Sequence, residues 1–127
     1  MFRATRILTT AAVAAAMLAV PALAGARVLA SGLLISSNAV RLGCTVQNLG
    51  TTDVVITSAK VVTETGLGQT DYQNCVGTLK AGASCSFTGP GDELSGVLRV
   101  DGSTRGLRGV CMLLAAGNNA IEAVPMR

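Results

Sequence analysis

Four cysteines, at positions 44, 75, 85 and 111, stand in a chain with no histidine, no tryptophan, one tyrosine and two phenylalanines. An interior with so few large rings must rest on Val, Leu, Ile and Ala, and a domain of this length buries only a modest share of its surface. Cross-links therefore weigh heavily in what the chain can become. An even number of cysteines in a short exported chain reads as a disulfide framework. Three pairings are open. Cys75–Cys85 is favoured because the pair flanks Val76 to Ser84, which reads as a strand end, a Gly turn and a strand start. Cys44–Cys111 would then tie an early strand to a late one. By chain entropy the short loop contributes about 3 kcal/mol and the long one about 4 kcal/mol, comparable to the net stability of a small domain. The expectation is that these bonds hold two sheets face to face. A redox pair or a metal site is the alternative use. No C-x-x-C is present, there is no His, and the spacing is wider than in a four-cysteine zinc site.

The expectation that the chain is exported comes from its first 26 residues. Arg3 and Arg6 precede a largely apolar run from Ile7 to Val20, Pro21 breaks it, and Ala22-Leu23-Ala24 and Ala24-Gly25-Ala26 are both small-residue cleavage sites. This is the pattern of a secretory signal peptide, cut after Ala24 or Ala26. The run is shorter than the roughly 20 residues of a spanning helix, so no membrane span is expected after cleavage. Ala26 stands where a lipoprotein box needs Cys, and the two arginines are not adjacent as the twin-arginine route requires. The mature domain is then 27–127, in a secreted or periplasmic setting. The full chain carries a net charge of +3; losing Arg3 and Arg6 leaves eight basic and seven acidic residues. A near-neutral domain with two aromatics gives no reason to expect nucleic acid as a partner.

After residue 30 the pattern is β. Val40, Leu42, Cys44 and Val46 alternate with Arg41, Gly43, Thr45 and Gln47, a half-buried strand. Asn48 to Asp53 is a turn, Val54 to Thr63 a β-branched strand, and Gly66 to Asp71 a loop. Short strands at Val76–Lys80 and Ala83–Thr88 surround Ala81-Gly82, and Gly89 to Asp92 is a turn. Gly96–Val100 and Arg105–Ala115 flank Asp101 to Thr104 and read as a hairpin. In that register Leu98, Val100, Leu107, Cys111 and Leu113 share one face, and Arg99 and Arg108 the other. Ala120 to Val124 is a last strand and Leu33 to Ser36 a first. Seven or eight strands in one domain predict an all-β, immunoglobulin-like β-sandwich with two disulfides.

Two stretches add a resemblance. Cys44-Thr-Val-Gln-Asn-Leu-Gly-Thr-Thr-Asp-Val-Val-Ile-Thr57 resembles the strand, Asn-x-Gly turn, strand opening of many bacterial immunoglobulin-like domains. Asn74-Cys-Val-Gly-Thr-Leu-Lys-Ala-Gly-Ala-Ser-Cys-Ser-Phe87 is similar to the "Cys, then Leu-x-x-Gly-x-x-Cys" segment of the choice-of-anchor D type domains. The likeness covers residues 40–101 and also implies a Cys75–Cys85 bond. After Phe87, Gly89-Pro90-Gly91 departs from the longer strand and Phe-x-Pro step usual in that group. Such domains are mostly binding or architectural modules, and membership implies no particular activity.

Without His, serine–histidine and cysteine–histidine nucleophiles are excluded and the commonest general base is missing. Asp92 and Glu93 in a Gly/Pro turn read as solvated turn residues; the spacing of an EF-hand is absent. Gly66-Leu67-Gly68 lacks the strand-to-helix setting of a phosphate loop. Tyr72 is either an interface anchor or the cap of a core edge. Arg99, Arg105 and Arg108 form a candidate contact patch on the late hairpin for an acidic partner, or a charged edge that keeps the strand soluble. The expected function is a non-catalytic binding or structural module, with a protein or cell-surface component as partner and no cofactor. A carboxylate-dependent hydrolase is one alternative; it needs a cleft gathering two or more of Asp53, Glu64, Asp71, Asp92, Glu93 and Asp101. A small exported inhibitor or effector is another; it needs a protruding loop at 64–75.

Overall fold

The computed structural model describes residues 26–127, so the expected leader lies outside them except for its last residue, Ala26. Ten strands follow: β1 Ala26–Ala30, β2 Leu34–Ile35, β3 Arg41–Asn48, β4 Val54–Val62, β5 Tyr72–Gln73, β6 Gly77–Leu79, β7 Ser84–Pro90, β8 Glu93–Asp101, β9 Leu107–Leu114 and β10 Ala120–Pro125. They form two antiparallel five-stranded sheets. The first runs β1-β8-β4-β6, with β2 also on β8; the second runs β10-β9-β3-β7-β5. The fold is an all-β sandwich, with β8 lying over β3 and β4 over β7. Its centre has the immunoglobulin-like arrangement of two consecutive strand pairs, β3–β4 and β7–β8. Here β3 bonds to β7 in one sheet and β4 to β8 in the other.

The period-two pattern positions these strands. Leu42, Cys44 and Val46 point inward from β3, Phe87 from β7, Leu94, Leu98 and Val100 from β8, and Leu107, Cys111 and Leu113 from β9. Val40 falls just outside the strand and is exposed. The count exceeds seven or eight because β1 precedes the expected first strand and because β5, only two residues long, borders β7.

The expected hairpin at 96–115 is not formed. β8 pairs with β1, β2 and β4, whereas β9 pairs with β3 and β10. Residues 102–106 therefore arch from one sheet to the other. Leu98 and Leu107 do enter the same core, but from opposite sheets. Ala81-Gly82 likewise joins strands of different sheets.

Both disulfides have the expected pairing, Cys44–Cys111 and Cys75–Cys85. The long one does not join the sheets face to face. Cys44 and Cys111 are direct partners on the adjacent strands β3 and β9. The bond stands in the core and presses on the opposite sheet at Gly96 of β8, where a β-carbon would come within 2.6 Å of Cys111 Sγ and nearer still to Cys44. Gly96 is glycine because the disulfide takes the space of its side chain. The short bond acts where the chain changes sheets. Cys75 lies between β5 and β6 and is pinned to Cys85 on β7. Met126 packs over Gly109, and Arg127 exchanges both backbone hydrogen bonds with Ala30 of β1, at 2.9 and 2.7 Å.

Candidate functional site

Strand register sorts the loops into two ends. At one end meet 49–53, 80–83 and 102–106; at the other, 63–70, 91–92 and 115–119. The first is organised by Asn48, the one fully buried polar residue among those described. Its Nδ2 donates to the carbonyls of Thr52, at 2.9 Å, and Leu79, at 3.0 Å, and its Oδ1 accepts from the Gly50 N–H at 3.0 Å. Its backbone N–H donates to Ala83 O and its carbonyl accepts from the Gly82 N–H. One side chain thus brackets the β3–β4 turn to the end of β6, while its backbone holds the β6–β7 link. Leu49 N–H donates to Gly106 O, and the two backbones approach so closely that a β-carbon at Gly106 would sit 3.0 Å from Gly50 Cα.

These loops surround a cleft of about 510 Å³ lined by Asn48, Gly50, Thr51, Thr52, Val54, Ser103, Arg105 and Gly106. No carboxylate lines it. Leu49, 60% exposed, lies beside it. Asn48 was legible only as the first residue of a turn. The missed signal was the alternation itself: carried two positions past Val46, it places residue 48 on the buried face.

The three arginines do not form one patch. Arg99 points outward from β8 on the first sheet and Arg108 outward from β9 on the second, so they lie on opposite faces of the sandwich. The arch between β8 and β9 separates them. Arg105 and Arg108 stay together: Arg108 Nη1 donates to Arg105 O at 3.1 Å and to Leu107 O at 2.8 Å.

At the far end a second opening, about 390 Å³, is lined by ten residues that include Glu64, Leu67, Asp92 and Glu93. Asp53 and Asp101 are at the Asn48 end, and Asp53 Oδ1 accepts from the Ala81 N–H. Asp71 is tied to Arg41: Arg41 Nη2 donates to both Asp71 oxygens, at 2.9 and 2.7 Å, and to Thr88 Oγ1, which itself donates to Asp71 Oδ1 at 2.8 Å. The Thr88 hydroxyl and then the Arg41 guanidinium hold the Asp71 carboxyl below its ordinary value. Tyr72 next to it is 53% exposed and so does not cap the core edge. The 64–75 segment is fastened to its neighbours: Gln69 N–H donates to Val61 O, Thr70 Oγ1 accepts from Val61 N–H, and Asp71 N–H donates to Thr88 O. Among the described residues no three His, Cys, Asp or Glu side chains stand close enough to hold a metal ion, and no helix is long and apolar enough to cross a membrane.

Comparison with known proteins returns no matching family model, no similar curated protein and no similar solved structure.

Proposed function

We propose that this chain is an exported, non-catalytic binding or structural module, of the bacterial immunoglobulin-like kind that residues 44–57 and 74–87 resemble, and that it meets its partner with the Asn48 end. The observation that carries this reading is the bracketing of the loops around the cleft by one fully buried amide. Loops fixed before contact lose little conformational entropy on binding. The rim combines an apolar side chain, Leu49, with a cation, Arg105, and loops carried on a rigid sandwich are a usual place for recognition. Two disulfides fit an oxidising compartment outside the cytoplasm, and the leader at 1–26 supplies the route.

The test is capture. The protein, disulfides intact, is offered its own extracellular or periplasmic fraction beside an Arg105→Gln, Leu49→Ser variant. A species retained by the wild type and lost with the variant is the expected result. Nothing retained under several growth conditions overturns the reading, and retention unchanged by the variant moves the site elsewhere. N-terminal sequencing of the exported protein checks cleavage after Ala24 or Ala26.

A hydrolase remains a second reading because Glu64, Asp92 and Glu93 line one opening. Hydrolysis of a glycoside or ester that disappears in Glu93→Gln would establish it over the binding module.

A further inference from the structure

The near-neutral sum of charges conceals a strong separation along the strand axis. Arg27 lies opposite Val100, Lys80 follows β6, Arg105 lies in the 102–106 arch and Arg99 and Arg108 flank it, so five of the described basic residues occupy the Asn48 end. Only Asp53 and Asp101 accompany them. Glu64, Asp92 and Glu93 lie at the other end, with Asp71 beside Thr88 and Glu122 opposite Leu113. Among the described residues Arg41 is the one basic residue there, and it is paired with Asp71. Lys60 and Arg127 sit near the middle, by Val97 and Ala30. Ile35, opposite Glu93, and Val40 are exposed at the acidic end and Val55, opposite Asp101, at the basic one; Leu49 at 60% and Leu67 at 64%, one at each end, are the two most exposed large apolar side chains among the described residues. Each stands at an opening, the first free of carboxylates and the second lined by three.

We propose that the partner of the Asn48 end is the acidic end of a second copy of this chain, so that copies associate head to tail. This rests on the reading of the chain as a binding or structural module and names what it binds. An apolar contact ringed by complementary charge is the composition of a specific interface centre and rim. The charge asymmetry orients the encounter, because head-to-head and tail-to-tail contacts oppose like charges. The two surfaces differ, so the contact is heterologous and builds rows or rings rather than a closed two-fold dimer. Its charges are exposed and screened, within a Debye length of about 8 Å at physiological salt, so the association is modest and salt-sensitive.

Sedimentation velocity on the disulfide-intact protein, at about 10 mM and about 0.5 M salt, tests this against two charge-reversed variants. Lys80→Glu with Arg105→Glu turns the net charge of the Asn48 end from positive to negative; Glu64→Lys with Glu93→Lys neutralises the acidic end as a whole and makes its opening net positive. None of these four side chains makes a hydrogen bond in the described structure. The wild type is expected to form concentration-dependent dimers and larger species that are lost at high salt. Each variant alone is expected to remain monomeric, and an equimolar mixture to associate again. A monomeric wild type at every concentration and salt overturns the proposal, as does a mixture that stays monomeric while both variants keep the wild-type circular dichroism spectrum. Should a reversal unfold, Leu49→Ser and Leu67→Ser carry the same test, each expected to lose the larger species; association unchanged in both overturns it. A different captured partner, lost on changing Leu49 and Arg105, would leave the module reading standing without self-association.

Discussion

At one end of the sandwich the loops are gathered by an amide that solvent never reaches; at the other, chain segments are tied by a carboxylate and a guanidinium that both face water. Asn48 is 0% exposed, while the Arg41 and Asp71 side chains are 33% and 42% exposed. Both devices use short hydrogen bonds to join segments distant in sequence, yet their energetic weight differs. Removing a buried amide strands the groups it served, and unpaired buried polar groups are costly. Removing an exposed ion pair exchanges it for water, and such pairs contribute little. The candidate binding loops are accordingly held through a buried group, and the Arg41–Asp71 tie at the acidic end through an exposed one.

The largest expected effect tests whether the two ends are independent of the centre they share. Gly96→Ala forces a methyl group against the Cys44–Cys111 bond, an overpacking expected to cost about 3 kcal/mol. Thermal melting checks the loss, and hydrogen exchange should quicken at both ends alike. Asn48→Ala comes next. It leaves Thr52 O, Leu79 O and Gly50 N–H without their partner, an expected loss of about 2 kcal/mol, with faster amide exchange in 49–53 and 80–83 and little change near Asp71. Equal loosening at both ends would break the comparison.

Asp71→Asn is expected to cost only roughly 0.5 kcal/mol, after allowance for solvent screening of an exposed pair. The smallest effect is its pH dependence. The folded-state carboxyl is held below its ordinary value by Thr88 and Arg41, so the unfolded chain takes up the proton first. The contribution is fully present above the unfolded carboxylate value and is lost as pH falls through the folded one. Tyr72, the chain's one tyrosine, adjoins the site, and its fluorescence should report a local acid loosening that Asp71→Asn lacks.

The sequence disclosed a good part of this fold. Alternation through Leu42, Cys44 and Val46 located β3 and its buried face, and the turn flanked by Cys75 and Cys85 favoured that bond and left Cys44 to pair with Cys111. It did not distinguish a hairpin from an arch. Asp101-Gly102-Ser103-Thr104 can turn a chain either way, and inward-facing Leu98 and Leu107 satisfy both, because a core is filled equally from one sheet or from two. The partners of β8 and β9 decide the matter, and they lie far away in the chain. The shared face of the contact patch was lost for that reason: Arg99 and Arg108 are near in sequence but belong to different sheets, so they share an end of the sandwich and not a face. The separation of charge was hidden likewise, since net charge carries no position and only the register shows which residues share an end.

The strand order also governs how the polypeptide acquires its shape as it is made. β3 has no hydrogen-bonded neighbour until β7 emerges, and β1 none until β8. Cys44 must wait 67 positions for Cys111, while Cys75 needs only ten more residues to meet Cys85. A nascent chain that has delivered Cys44 and Cys75 but not Cys85 holds two thiols with no native mate in reach. A premature Cys44–Cys75 crosslink is the error this topology invites, and prompt arrival of Cys85 is what forestalls it.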